Sequence, residues 1–193
     1  MKTKKIALTG GIGSGKSYAL DVLSTNGYQT LSCDLITADL YKKASVKRLL
    51  KKLFPTAVSG FFNLKIDRKE ISKIVFNDKD KLDELTSAIT PLVMEEVNKR
   101  SSKLKGTVFV EVPLLFERNY QSCFDAVIVI TRPLTERIES VKTRSKLSEE
   151  QIVARINNQV DYESFDLTPY FVIENNGSKE DFSAKVLSVA KNI

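Results

Sequence analysis

Histidine is absent from all 193 residues, and that absence removes whole classes of chemistry. A Ser/His/Asp or Cys/His system has no base, and no metal can be held by imidazole. Any general base must be a carboxylate, lysine, tyrosine or cysteine. Cysteine is scarce as well: Cys33 and Cys123 are too distant in sequence to form a CxxC redox pair or a zinc knuckle, and both are expected as free thiols. Long apolar runs are missing. "AVIVI" and "VPLLF" fall far short of the roughly 20 residues that cross a bilayer, and the lysine-rich "MKTKK" has no secretory apolar region of its own. Low-complexity tracts and internal repeats are lacking too, which argues against disorder. Together these absences predict a cytoplasmic protein with no membrane partner.

What is present is ordinary for a globular chain, with 42% hydrophobic and 28% charged residues. A chain of this length fits one domain, or one domain with an inserted lobe, and buries about 70% of its unfolded surface on folding. The net charge of +6 suits an anionic partner, either nucleic acid or an anionic small molecule. Many of the lysines fall in "KRLLKKLF" and "NKRSSKLKG", where solvated helix faces account for them.

"KKIALTG" has the pattern of a buried strand, "SYALDVLSTNG" of a helix ending at Gly27, and "YQTLSCD" of a second strand ending at Asp34. "GTVFVEVPLLFE", "FDAVIVITRP" and "PYFVIENNGS" are further strand patterns. The last leads into a helix capped by Ser178 with Asp181. Strands alternating with helices predict an α/β fold with a doubly wound parallel sheet. From about Tyr41 to Arg100 only helical patterns occur: "ASVKRLLKKLF", "DRKEISKIVF", "DKLDELTSAI" and "PLVMEEVNKR". This stretch, about 41–103, is expected as a helical lobe inserted into a core of about 1–40 and 104–193. "LSEEQIVARINNQ" is another helix with a Ser148/Gln151 capping box, and its approach carries Lys142, Arg144 and Lys146. Residues 142–160 are expected to form a short helical lid.

Between the first strand and the first helix stands "GGIGSGKS", Gly10 to Ser17. Gly10, Gly15, Lys16 and Ser17 match G-x-x-x-x-G-K-[ST], the P-loop, in the strand–loop–helix context that pattern requires. Glycines let backbone N–H groups converge on phosphate oxygens, the helix start adds its positive dipole end, and the lysine adds a mobile charge. Gly11, Ile12, Gly13, Ser14, Gly15, Lys16 and Ser17 are therefore the expected nucleotide site, with Ser17 the Mg²⁺ ligand. Asp34, placed at the carboxyl edge of the sheet, is the candidate base; Asp39 is a rival carboxylate inside the following helix. A turn or helix N-cap is the structural alternative for Asp34.

These segments, with "LSCDLITADLY", "ITPLVMEEV", "VFVEVPLLFE", "TRSKLSEEQIVARINNQ" and "FVIENNGS", resemble the dephospho-CoA kinase family in order and across almost the whole chain. The resemblance implies transfer of the γ-phosphoryl of ATP, with Mg²⁺, to the ribose 3′-hydroxyl of dephospho-CoA, the last step of coenzyme A synthesis. It implies that Asp34 orients or deprotonates that hydroxyl and that Arg68 lies in the lobe holding the acceptor. Glu111 stands close to a Walker B position and, with Leu114, faces the substrate. Arg144 is the lid arginine and Asn175 lies near adenine. Ser32, Thr90 and Pro169-Tyr170 depart from the family pattern. Lys16, Asp34 and Arg144 are then the catalytic set. The remaining readings are another small-molecule or nucleoside monophosphate kinase, and a nucleotide-dependent switch or nucleic-acid binder. The last is disfavoured by the absence of an N/T-K-x-D segment and of lysines interleaved with stacking aromatics. A monomer and a small homo-oligomer both fit.

Overall fold

β1 (Lys4–Gly10) buries both its faces, with Ile6, Ala7 and Leu8 all removed from solvent, as befits a strand inside a covered parallel sheet. The computed structural model describes residues 3–145 and 147–193; Lys146 of the expected lid lies outside them. α1 (Lys16–Thr25) buries Ala19, Leu20 and Leu23 and ends at Asn26, with Gly27 beyond it in the left-handed region. β2 (Gln29–Ser32) passes without a loop into α2 (Cys33–Leu40). The expected extension of this strand to Asp34 does not occur. Asp34 sits instead in the first turn of α2, where the positive end of the helix dipole favours a carboxylate.

The chain divides into two compact units, Met1–Ser32 with Ser101–Ile193, and Cys33–Arg100. In the second unit, α3 (Ala44–Leu53) buries Val46 and Leu50. A small antiparallel pair follows, β3 (Val58–Ser59) and β4 (Lys65–Ile66), where only helices were expected; two-residue strands are too short to show a period of two in sequence. α4 (Arg68–Asn77) is capped by Asp67, whose carboxylate accepts from the Lys69 and Glu70 N–H groups. The two helical patterns that come next are one helix, α5 (Lys79–Ser101), with Pro91 inside it. Proline leaves the carbonyl four residues back without its donor. Here that residue is Ser87, and both Ser87 and Pro91 are exposed, a solvent-facing stretch on which a carbonyl without its helix donor costs little, and the helix continues.

In the first unit, β5 (Thr107–Glu111), β6 (Ala126–Thr131) and β7 (Phe171–Glu174) complete a parallel sheet of order β2-β5-β1-β6-β7. α6 (Leu134–Arg144) and α7 (Glu149–Asn157) lie between β6 and β7, and α8 (Lys179–Asn192) closes the chain. One core joins Ile6, Leu8, Leu23, Phe109, Ile130 and Phe182, bringing strands and the helices α1 and α8 together. The Ser148/Gln151 capping box on α7 is complete. At α8 the Ser178 hydroxyl accepts from the Asp181 N–H and donates to the Asp181 carboxylate, so the return bond to the cap backbone expected of a box is replaced by a side-chain pair. Both cysteines are free thiols, and among the described residues no helix is long and apolar enough to cross a membrane.

Candidate nucleotide site

The glycines of the loop answer to geometry. Gly10 has φ 143°, and a Cβ there would stand 2.2 Å from the Ile130 carbonyl oxygen of β6. At Gly13, φ is 80° and a Cβ would stand 2.4 Å from the Arg137 carbonyl oxygen. Any side chain at either position would push the loop off the sheet or off α6. Inside the loop the Ser14 N–H donates to the Gly11 carbonyl at 3.1 Å, and the Asn175 amide donates to the Ser14 carbonyl at 2.8 Å. α1 then starts at Lys16 with Gly15 as its cap, no capping side chain and no acid in its first turn. An uncapped helix start leaves N–H donors and a positive partial charge directed at whatever occupies the loop mouth.

Lys16 is only 9% exposed. Its ammonium donates to the Gly10 and Gly11 carbonyls at 2.7 and 3.0 Å, folded back on its own loop. Ser17, the next residue, donates its hydroxyl to Glu111 Oε1 at 2.9 Å, and Ser32 donates to Glu111 Oε2 at 3.2 Å. Glu111 is the last residue of β5, opposite Leu8 in the register, and 5% exposed. Thus Ser32 is a hydrogen-bond partner of the carboxylate that stands next to the loop. A hydroxyl and a carboxylate side by side at the start of α1 are hard oxygen donors of the kind Mg²⁺ takes alongside phosphate and water. No cluster of three or more His, Cys, Asp or Glu suited to a metal occurs among the described residues.

Asn175, immediately after β7, spends its side-chain amide on the loop, and its own N–H donates to the Thr131 carbonyl at 2.9 Å. Leu114 is half-buried in the turn after β5. Arg144 is exposed at the end of α6. Lys142 of that helix reaches Glu149 at the start of α7 at 2.6 Å, a contact that raises the lysine's pKa, chiefly by the hydrogen bond to Glu149. Asp34 and Arg68 belong to the other unit. Asp34 is exposed. Arg68 is also exposed; it donates to the Ala38 carbonyl at 3.3 Å and lies 5.2 Å over the Tyr41 ring. The rival carboxylate, Asp39, is engaged by Lys42 at 2.7 Å and Arg100 at 3.1 Å. The Lys42 hydrogen bond and then that of Arg100 hold its pKa below the ordinary carboxylate value, which makes it a weaker base.

Two further residues of this site take no role from the sequence, although Gln159 closes the "RINNQ" segment. Arg137 of α6 is 7% exposed and donates from Nε to the Ile12 carbonyl at 3.0 Å. Burial lowers its pKa, opposed in part by Tyr162, Glu163 and Asp161, though a guanidinium stays charged in a protein. Gln159 accepts the Ile12 N–H at 2.7 Å. Only the long-range packing of α6 and α7 against the loop identifies them; the final glutamine of "RINNQ" has the place of a motif residue but no role that its neighbours in sequence reveal.

Comparison with known proteins gives a consistent result. The dephospho-CoA kinase family model matches residues 4–181. A dephospho-CoA kinase of Thermus thermophilus is 35% identical over 188 residues, covering 95% of this chain and 89% of the relative. One from Thermobifida fusca is 32% identical over 189 residues, covering 96% and 94%. Among solved structures, a Thermus thermophilus protein superposes with TM-score 0.85 at 33% identity over 100% of this chain and 99% of its own. The dephospho-CoA kinase of Campylobacter jejuni gives 0.69 at 26% identity, covering 98% and 96%. A deoxyadenosine kinase from M. mycoides, at TM-score 0.56 and 15% identity, shares the fold.

Proposed function

The chain belongs to the dephospho-CoA kinase family and phosphorylates dephospho-CoA in the last step of coenzyme A synthesis; from that premise we propose how its own residues divide the work. The observation that carries the proposal is the uncapped start of α1, with Lys16 folded on the loop and Ser17 bonded to Glu111. ATP is the donor. Its β- and γ-phosphates take the N–H groups of the loop and of the first turn of α1. Lys16 exchanges the Gly10 and Gly11 carbonyls for phosphate oxygen, so that its charge follows the transferred group. Ser17 and Glu111 would hold Mg²⁺, which when bound would neutralise phosphate charge.

In the transfer, the acceptor 3′-oxygen forms a bond to Pγ as the bond from Pγ to the β,γ-bridging oxygen breaks, and ADP leaves. Asp34 orients the 3′-hydroxyl and takes its proton. The support for that role is the family resemblance and an exposed carboxylate that, unlike Asp39, has no pairing cation among the described residues. Arg68 holds the acceptor in the 33–100 unit, and Arg144 acts from the lid expected over about 142–160. The free thiols of Cys33 and Cys123 suit a reducing cytoplasm.

The test is an initial-rate assay with ATP and Mg²⁺ against dephospho-CoA, AMP and CMP, with the product's phosphate position read by ³¹P NMR. The expected result is 3′-phosphorylated product from dephospho-CoA alone. Faster turnover of a nucleoside monophosphate would overturn the reading.

A further inference from the structure

Ile12 stands between two glycines, Gly11 and Gly13, so the peptide units on either side of it can rotate at little steric cost. A phosphate cradle cannot tolerate that freedom, because a flipped Ile12–Gly13 peptide would present its carbonyl oxygen to the anion in place of the Gly13 N–H. The structure supplies the restraint from outside the loop. The Ile12 N–H is accepted by Gln159 Oε1 at 2.7 Å, and the Ile12 carbonyl accepts from Arg137 Nε at 3.0 Å. Reversing either peptide would set acceptor against acceptor or donor against donor. Because a trans peptide points its N–H opposite to its C=O, the Arg137 bond also aims the Gly13 N–H away from α6.

Both clamps come from the α6–α7 helix pair. Arg137 is on α6, and its guanidinium fills the space beside Gly11, where a Cβ would stand 2.3 Å from Nη2. Gln159 follows the end of α7, its own N–H bonded to the Ile156 carbonyl at 2.9 Å. The next residue, Val160, is pinned through its N–H to Glu117 Oε1 at 2.9 Å, so Gln159 is held on a fixed stretch of chain. Lys142 and Glu149 join the other ends of the two helices.

We infer that Gln159 and Arg137 are positioning residues: Arg137 turns the Gly13 N–H away from α6 and toward the phosphate, Gln159 anchors the preceding peptide by its outward-facing Ile12 N–H, and through them nucleotide binding is coupled to the α6–α7 pair that carries Arg144. The inference rests on the loop being the ATP site, and it is independent of which acceptor is phosphorylated. A bound phosphate that orders the loop also orders Ile12, and Ile12 can be ordered only with both helices in place.

The measurements are titration of the protein with Mg²⁺-ATP, steady-state kinetics, melting temperature and hydrogen exchange with and without ATP. Gln159→Ala removes the acceptor and leaves a half-buried N–H unsatisfied, which is worth about tenfold in the affinity of a loop that must order to bind. Expected is an ATP affinity and kcat/KM for ATP lowered ~10-fold, with the KM for dephospho-CoA unchanged and the melting temperature lowered by no more than about 2–4 °C. ATP should slow exchange in both the loop and residues 134–159 of the wild type, and in the loop alone of the variant. Gln159→Glu keeps an acceptor at the same reach and adds a negative charge. It should restore the shared protection while binding ATP more weakly at low salt than at high salt. Wild-type ATP affinity and wild-type spread of protection in Gln159→Ala would overturn the inference. So would a loss of affinity that merely tracks a lowered melting temperature and that Gln159→Glu fails to rescue. If ATP binds as expected but dephospho-CoA is not phosphorylated, the functional proposal fails and this one stands.

Discussion

Replacing Glu111 by glutamine exchanges one oxygen for an amide nitrogen at a position where the two consequences, for stability and for catalysis, differ in kind. The carboxylate accepts from Ser17 at 2.9 Å and from Ser32 at 3.2 Å while almost fully buried. A hydrogen bond to a charged group is worth about 1.5–3 kcal/mol and a neutral one about 1 kcal/mol, so the variant gives up about 0.5–2 kcal/mol in each of two bonds. Against this it no longer buries a charge, whose desolvation costs several kcal/mol in a protein interior. The two nearly cancel, and the melting temperature should move by no more than about 2–4 °C, the equivalent of 1 kcal/mol in a domain of this size. For catalysis nothing cancels. A neutral amide is a poor Mg²⁺ ligand, and loss of one preorganised electrostatic group costs about 10²–10³ in kcat. The assay is the initial rate of dephospho-CoA phosphorylation across a Mg²⁺ series, with thermal unfolding of the same preparation. Glu111→Gln should need more Mg²⁺ for half-maximal rate and should reach a plateau about 10²-fold below wild type. A variant with wild-type Mg²⁺ dependence and rate would refute the reasoning. So would one whose activity falls only in step with a collapse in melting temperature, which would make Glu111 a structural tie between Ser17 and Ser32.

Three further substitutions probe the remaining roles. Lys16→Ala should lower kcat by about 10²-fold or more with an unchanged circular dichroism spectrum, since the bonds it loses are to carbonyls of its own loop; retention of a tenth of the wild-type rate counts against a transition-state role. Asp34→Asn keeps the size of an exposed side chain in the first turn of α2, so ATP affinity should persist while transfer falls about 10²- to 10⁴-fold. Near-normal product formation there removes Asp34 from the mechanism and leaves it a helix-start residue. Arg144→Ala, at an exposed helix end, should lower kcat and leave ATP affinity near wild type; equal losses in both would mean that the arginine contacts nucleotide without lid movement.

The nucleotide loop is legible in the sequence because its constraints are contiguous. The glycines, the lysine and the hydroxyl stand within eight positions, Gly10–Ser17, and each answers to a backbone or charge requirement set by its immediate neighbours. The same locality makes the Ser148/Gln151 box readable, since a cap is settled within one helical turn. Strand order is not readable: β5 lies between β1 and β2, which are neighbours in sequence, and nothing near either strand states which partner it takes. The start of α2 escapes a sequence reading for a related reason. "SCD" continues a strand pattern, yet the chain turns into a helix at Cys33, a choice that local propensity leaves nearly balanced.

The sequence by itself therefore determined the chemistry available: a phosphate-binding loop and, without histidine, a general base limited to carboxylate, lysine, tyrosine or cysteine. Tertiary structure decided which groups stand together at the loop. Ser17 meets a Glu111 that is 94 positions away, and Ile12 meets Gln159 147 positions away and Arg137 125 positions away. Pairings of that range depend on a sheet order and a helix placement that arise only when the whole apolar surface is buried together, so no window of the chain contains the energy that selects them.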